Sequence, residues 1–153
     1  MQKNFPNLIF WVLGLQVVGI LMGIITSHDI EPWYRSLTQS SLTPPDYVFS
    51  IVWPSLYLLI AIAGWLLFSK QHYKKIKAAF ILQLLLNWLW TPLFFTLHLT
   101  GISLVVLALI AIVTLFVIVK SIHNNKIASL LLSPYFVWLC FAWYLNLYIF
   151  LNN

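Results

Sequence analysis

The sequence predicts an all-α membrane protein: one bundle of five transmembrane helices, its N-terminus cytoplasmic, with a long external loop between the first two helices. Three observations carry this expectation. Of 153 residues, 62% are hydrophobic and 7% charged, whereas soluble domains hold roughly 25% charged residues and need them to face water. Five apolar stretches approach the roughly 20 residues that a helix needs to cross the hydrocarbon core. The charges then segregate by loop. Lys3, Lys70, Lys74, Lys75, Lys77, Lys120 and Lys126 fall on one side of a five-span chain, and only Arg35 falls on the other. That bias places the N-terminus inside and the C-terminus outside.

The first span covers about residues 8–26. Its apolar run exceeds a signal-peptide core, and no small-residue cleavage pattern precedes Ser27, so it reads as a retained helix. Residues 27–47 follow as a polar, aromatic, turn-rich connection that holds all three acids, Asp29, Glu31 and Asp46. Pro44 and Pro45 forbid a continuous helix there. A loop this long in so small a protein reads as a functional lid, ordered by Trp33 and Tyr34. The second span, about 48–68, opens with Trp53-Pro54 near its start, where proline is tolerated because first-turn donors lack partners anyway. Tyr57, Ile60 and Gly64 continue that stripe.

The third span, about 78–97, carries Gln83 and Asn87 one helical turn apart, with Trp90 and Phe94 extending the same face. In hydrocarbon such amides turn towards the bundle interior or a cavity. The fourth span, about 102–119, is plain apolar sequence. The fifth, about 130–151, reads as a helix that starts at Ser133-Pro134, cap and first helical residue. Trp138, Ala142, Leu145 and Ile149 form one face, and Asn146 lies beside it as an interhelical hydrogen-bonding group. The interfacial aromatic belt accounts for Trp11, Tyr73 and Tyr148 but poorly for Trp138 in mid-run. Rings and amides thus converge near the external ends of three spans, which suits a flat apolar ligand with polar handles.

Several functional classes are excluded. The +5 net charge resides in short membrane loops, so no nucleic-acid partner is expected. Lone Cys140 supports no intramolecular disulfide and reads as a small buried apolar side chain. His28, His72, His98 and His123 lie at or near loops without ligand spacing, so no metal site is expected; His28 is the nearest to the pocket mouth. No acid–base pair stands at membrane depth, and no inverted repeat marks a transporter.

The segments "WYRSLTQSSLTPP", "FSIVWPSLY", "QLLLNWLWTPLFF" and "PYFVWLCFAWYLN", in this order, resemble the TspO family, the tryptophan-rich sensory or translocator (peripheral benzodiazepine receptor) proteins. The resemblance implies five packed membrane helices, in a bacterial cell membrane, and a pocket capped by the first loop. It implies binding of porphyrins such as protoporphyrin IX and haem, and of isoquinoline-type drugs, with no cofactor required. Carried over by position, the ligand-binding residues are Tyr34 and Pro44 of the loop, Trp53 and Tyr57, then Asn87, Trp90 and Phe94, and finally Trp138, Ala142 and Leu145. The implied role is a sensor or regulator of porphyrin or oxidative stress. The alternatives are light- and oxygen-dependent porphyrin degradation using Trp53 and Trp138 as catalytic residues, and transport of porphyrin or another lipophilic molecule. Gly19-x-x-x-Gly23 permits close helix approach, either within the bundle or in the homodimer that the family often forms. Ser40 and Leu42 replace the proline and tryptophan common in the family's loop. Residues 149–153 lack the basic residue that the animal cholesterol signature needs after Tyr148, so cholesterol is not an expected partner.

Overall fold

Each apolar run becomes a helix because, away from water, only a helix satisfies every backbone N–H and C=O within one segment. The structure, a computed structural model, describes residues 5–30, 33–69 and 73–153. Five helices follow in order: α1 (Phe5–Ile30), α2 (Asp46–Phe68), α3 (Lys74–Phe95), α4 (Thr100–Ser121) and α5 (Lys126–Asn152). The described residues contain no strand, and all five helices are long and apolar enough to span a membrane. The helix ends lie within four residues of the boundaries that hydropathy predicts. Hydropathy marks only the hydrocarbon-immersed part, whereas helices continue into the headgroup layer. Lys3, Lys70, His72 and Glu31, and the side chains of His28 and Asp29, lie outside the described residues.

Going round the bundle, the order is α1, α2, α5, α4, α3, with α3 returning to α1. The interior is filled by Ile60, Leu67, Phe80, Leu107, Ile110, Leu132, Tyr135 and Leu139, all essentially inaccessible. α1 is the peripheral member. Phe10, Leu13, Val17, Leu21 and Ile24 stay exposed on its outer side and face lipid in the membrane. Trp11, which the sequence assigns to the interfacial belt, instead packs its ring 5.1 Å from Phe68 and 5.9 Å from Phe80.

Three further expectations are overturned. α5 starts at Lys126, with the Asn125 side chain accepting from Ala128 N at 3.3 Å, so Pro134 is interior and Ser133-Pro134 is not the helix start. The reason is tertiary. Ser129 Oγ donates to the Ile118 carbonyl of α4 at 3.1 Å, and this docking extends α5 below the proline. Pro54 likewise lies inside α2, which begins at Asp46 behind Pro45. Interior prolines free a carbonyl one turn back, and membrane helices tolerate them where neighbours compensate. Third, Cys140 is exposed rather than buried. It follows exposed Val137 by one helical turn, and so sits on the outer surface of α5.

Gly64 is required by packing. A Cβ there would stand 2.8 Å from both Phe80 Cζ and Trp11 Cζ3, and Phe80 has no free volume into which to retreat. Gly14 has nothing within 4 Å of the same position. Gly64→Ala is therefore expected to destabilise the protein by about 1–3 kcal/mol through overpacking. Gly14→Ala should be neutral or stabilising, because alanine is the better helix former. Thermal unfolding of both variants in detergent checks the contrast.

Candidate functional site

The interior polar groups of α2, α3 and α5 meet at one amide. Tyr57 donates its hydroxyl hydrogen to Asn87 Oδ1 at 2.8 Å, and Asn87 Nδ2 donates to the Tyr135 hydroxyl at 3.0 Å. All three residues are buried. In hydrocarbon these bonds have no water to compete with them, so they fix how the three helices are rotated against one another. Gln83, one turn from Asn87, is equally buried but has no hydrogen-bonding partner among the described residues. Asn146 Nδ2 reaches the Thr100 carbonyl of α4 at 3.4 Å, as its interhelical reading requires.

Above the Asn87 node lies a cavity of about 420 Å³, within the roughly 300–1,000 Å³ typical of small-molecule sites. α2 supplies Phe49, Trp53 and Tyr57, and α3 supplies Asn87, Trp90, Thr91 and Phe95. α1 supplies Gln16, Gly19, Ile20, Gly23 and Thr26, positions that recur every three or four residues and so form one helical stripe. Tyr34 and Asp46 complete the mouth. The α1–α2 seam is held by Gln16 Nε2 donating to the Pro54 carbonyl at 2.8 Å. Gly19 completes it, since a Cβ there would meet the Tyr57 ring at 2.9 Å. Ile20, Gly23, Ser50 and Pro54 line the cavity and are also exposed, so it opens sideways between α1 and α2.

Of the residues carried over from the family resemblance, Tyr34, Trp53, Tyr57, Asn87 and Trp90 line this cavity. The other five stand elsewhere. Phe94 is buried one layer behind, stacked on Trp90 with centroids 5.3 Å apart and 17° between planes. Trp138 backs α2, edge-on to Trp53 at 6.5 Å and to Phe49 at 5.8 Å. Ala142 and Leu145 lie further along α5, and Pro44 lies in the loop; none borders the cavity. The α1 stripe escapes a reading based on rings and amides because it offers neither. Its trace in the sequence is Gly19-x-x-x-Gly23 flanked by Gln16 and Thr26. Gly19 of that motif is occupied by internal packing on Tyr57.

The loop closes over this end of the bundle. A single 3-10 turn, Tyr34–Ser36, sets Trp33 flat on His98 with centroids 4.0 Å apart and 15° between planes. His98 itself leaves α3 with φ of 56°, a left-handed conformation that histidine visits more readily than most residues. Ser40 Oγ and the Tyr144 hydroxyl are 3.0 Å apart. Thr38 N donates to Asn153 Oδ1 at 2.9 Å. Ser40, which stands where the family commonly has proline, thus contributes a direct hydrogen bond from the loop to α5. At the mouth, Arg35 Nη2 contacts Asp46 Oδ2 at 3.0 Å. Burial, and then the nearby Asp46 carboxylate, push the Tyr34 phenol above its ordinary ionisation range. It is a neutral hydrogen-bonding group at physiological pH.

Comparison with known proteins identifies the family. The model of the TspO/MBR family matches residues 11–151. The chain belongs to the TspO/MBR family. A tryptophan-rich protein TspO of Archaeoglobus fulgidus is 34% identical, covering 98% of this chain and 99% of that one. A Bacillus cereus protein of the same name is 32% identical over 95% of this chain and 94% of its own. The translocator protein of Sus scrofa is 30% identical over 92% of this chain and 89% of its own. Membership and the five long apolar helices together make this member of the TspO/MBR family an integral, multi-pass membrane protein.

The amide node gives a direct test. Asn87→Leu strands the Tyr135 hydroxyl, which is wholly buried, and removes the acceptor of the Tyr57 hydroxyl. A destabilisation of about 2 kcal/mol is expected, in the range for an orphaned buried polar group. Adding Tyr135→Phe should recover about half of it, because removing both partners costs less than removing one. Denaturant titration in mixed micelles measures both values.

Proposed function

We propose that this TspO/MBR protein binds a flat tetrapyrrole, of the protoporphyrin IX or haem class, in the α1–α2–α3 cavity. It takes aromatic isoquinoline-type drugs in the same place and acts as a sensor or regulator of porphyrin or oxidative stress. The observation that carries this reading is the composition of the cavity wall. Phe49, Trp53, Tyr57, Trp90 and Phe95 wall it with rings on the α2 and α3 sides, and the other polar lining groups besides Asn87 are few: Gln16, Thr26, Ser50 and Thr91, with Tyr34 and Asp46 at the mouth. Ring faces recognise ring faces, at about 0.5–1.5 kcal/mol per aromatic pair beyond burial, and Asn87 orients a polar edge. The lateral opening between α1 and α2 lets a planar ligand enter from lipid and leave one edge at the mouth. In this reading the protein sits in a bacterial cell membrane, its lysine-bearing end cytoplasmic, and needs no cofactor.

One contact favours a second reading, light- and oxygen-dependent porphyrin degradation. Trp53 borders the cavity and its ring meets Trp138 edge-on, so an electron taken from Trp53 can be replaced from Trp138 behind it. Transport, the activity that the name translocator protein suggests for mammalian relatives, predicts instead net ligand flux into proteoliposomes above that of empty vesicles.

Titration with protoporphyrin IX is expected to quench the intrinsic tryptophan fluorescence saturably. Trp53→Phe should weaken binding about tenfold, which corresponds to about 1.4 kcal/mol. Absence of saturable quenching in the wild type overturns the binding reading. A new absorbing product that forms only in light, and only with protein present, favours degradation; its persistence in Trp138→Phe removes the role given to that residue.

A further inference from the structure

The cavity mouth carries an ion pair that the binding reading does not use. Arg35 Nη2 stands 3.0 Å from Asp46 Oδ2, and Asp46 lines the cavity beside Tyr34 and Ser50. Among the described residues, Arg35 is the only lysine or arginine at this end of the bundle. Lys74 and Lys75 begin α3, Lys120 ends α4 and Lys126 begins α5, all at the opposite end. The cavity lining therefore ends at Asp46, which is paired with the one lysine or arginine at this end among the described residues.

We propose that Arg35 and Asp46 form an exchangeable clasp: an ionised carboxylate on the edge of the bound ligand takes over the Arg35 guanidinium, and Asp46 is released. This rests on the tetrapyrrole reading and adds a chemical requirement to it, that the ligand be an organic acid with its carboxylates on one edge.

Three features make the exchange favourable. The existing pair is half exposed on the arginine side and three-quarters exposed on the aspartate side, and ion pairs so hydrated contribute little to stability. Asp46 lies in the first turn of α2, which no side chain caps, so the unpaired N–H groups and dipole of that turn continue to stabilise the released carboxylate. A guanidinium presents a planar fork of donors that binds a carboxylate through two parallel hydrogen bonds. Tyr34, neighbouring Arg35 in sequence and bordering the cavity, keeps its phenolic proton and supplies one further donor at the same edge.

Without Arg35, Asp46 would repel an acidic ligand from the mouth; with Arg35 it holds the position until the ligand arrives. The pair therefore discriminates acids from their neutral esters rather than setting affinity for the ring.

The test compares protoporphyrin IX with its dimethyl ester on the full chain in nanodiscs of zwitterionic lipid, where the ratio of the two affinities is followed across variants. Partitioning into lipid differs between the compounds but cancels when one variant's ratio is compared with another's. Arg35→Gln is expected to weaken the acid about tenfold and leave the ester unchanged, unchanged ester binding also showing that the variant is folded. Asp46→Asn is expected to raise the acid-to-ester affinity ratio several-fold. An acid-to-ester ratio that stays constant across the three proteins, or a loss equal for both compounds, overturns the clasp alone. Failure of both compounds to bind the wild type saturably overturns the tetrapyrrole reading, and the clasp with it.

Discussion

Asn87 is the group on which the arrangement of the bundle depends. Apolar side chains do not distinguish a neighbouring helix from lipid, so the hydrophobic effect that orders a soluble core does little to orient helices within a membrane. Directional bonds do it instead. By accepting from Tyr57 and donating to Tyr135, Asn87 sets the rotation of α2 and α5 about α3. Once α2 is so turned, Trp53 faces the cavity on one side and meets Trp138 on the other. The floor of the cavity and the alignment of its walls thus have one cause.

The remaining wall is held differently. α1 has few fully buried residues and is attached through the Trp11 ring on Phe68 and Phe80, Gly19 against the Tyr57 ring, and Gln16 on the Pro54 carbonyl. The loop that follows α1 is fastened to the other helices at the external end. Trp33 stacks on the α3–α4 turn, Ser40 and Thr38 bond to α5, and Arg35 pairs with the start of α2.

Much of this was legible in the sequence, and the misses have a common origin. The five spans follow from composition and length, and the Gln83–Asn87–Phe94 face from helical periodicity. Ser133-Pro134 and Trp53-Pro54 were misread because local signals for a helix start are strong in isolation. Docking of Ser129 on α4, and of the α2 first turn under the loop, carries each helix past its proline. Cys140 was misplaced because an apolar run in a membrane protein has no polar side to mark its outer surface. Trp11 was given to the headgroup belt, although its ring fills the space left by Gly64. The α1 stripe went unread as a cavity wall because its contribution is absence of bulk.

Composition, length and motif order establish that the chain crosses a membrane five times, that its charge is segregated by loop, and that its family is TspO/MBR. These follow from transfer of side chains into hydrocarbon and from specific local motifs, which depend on residue identity and order alone. Which rings border a cavity and which stand behind them follows from the packed bundle alone. It separated Trp53 and Trp90 from Trp138 and Phe94, added Gln16 and Gly19, and set Arg35 against Asp46 at the mouth. Those choices depend on how each helix is rotated, and rotation in hydrocarbon is fixed by a few interhelical hydrogen bonds and close glycine contacts whose partners lie tens of residues apart.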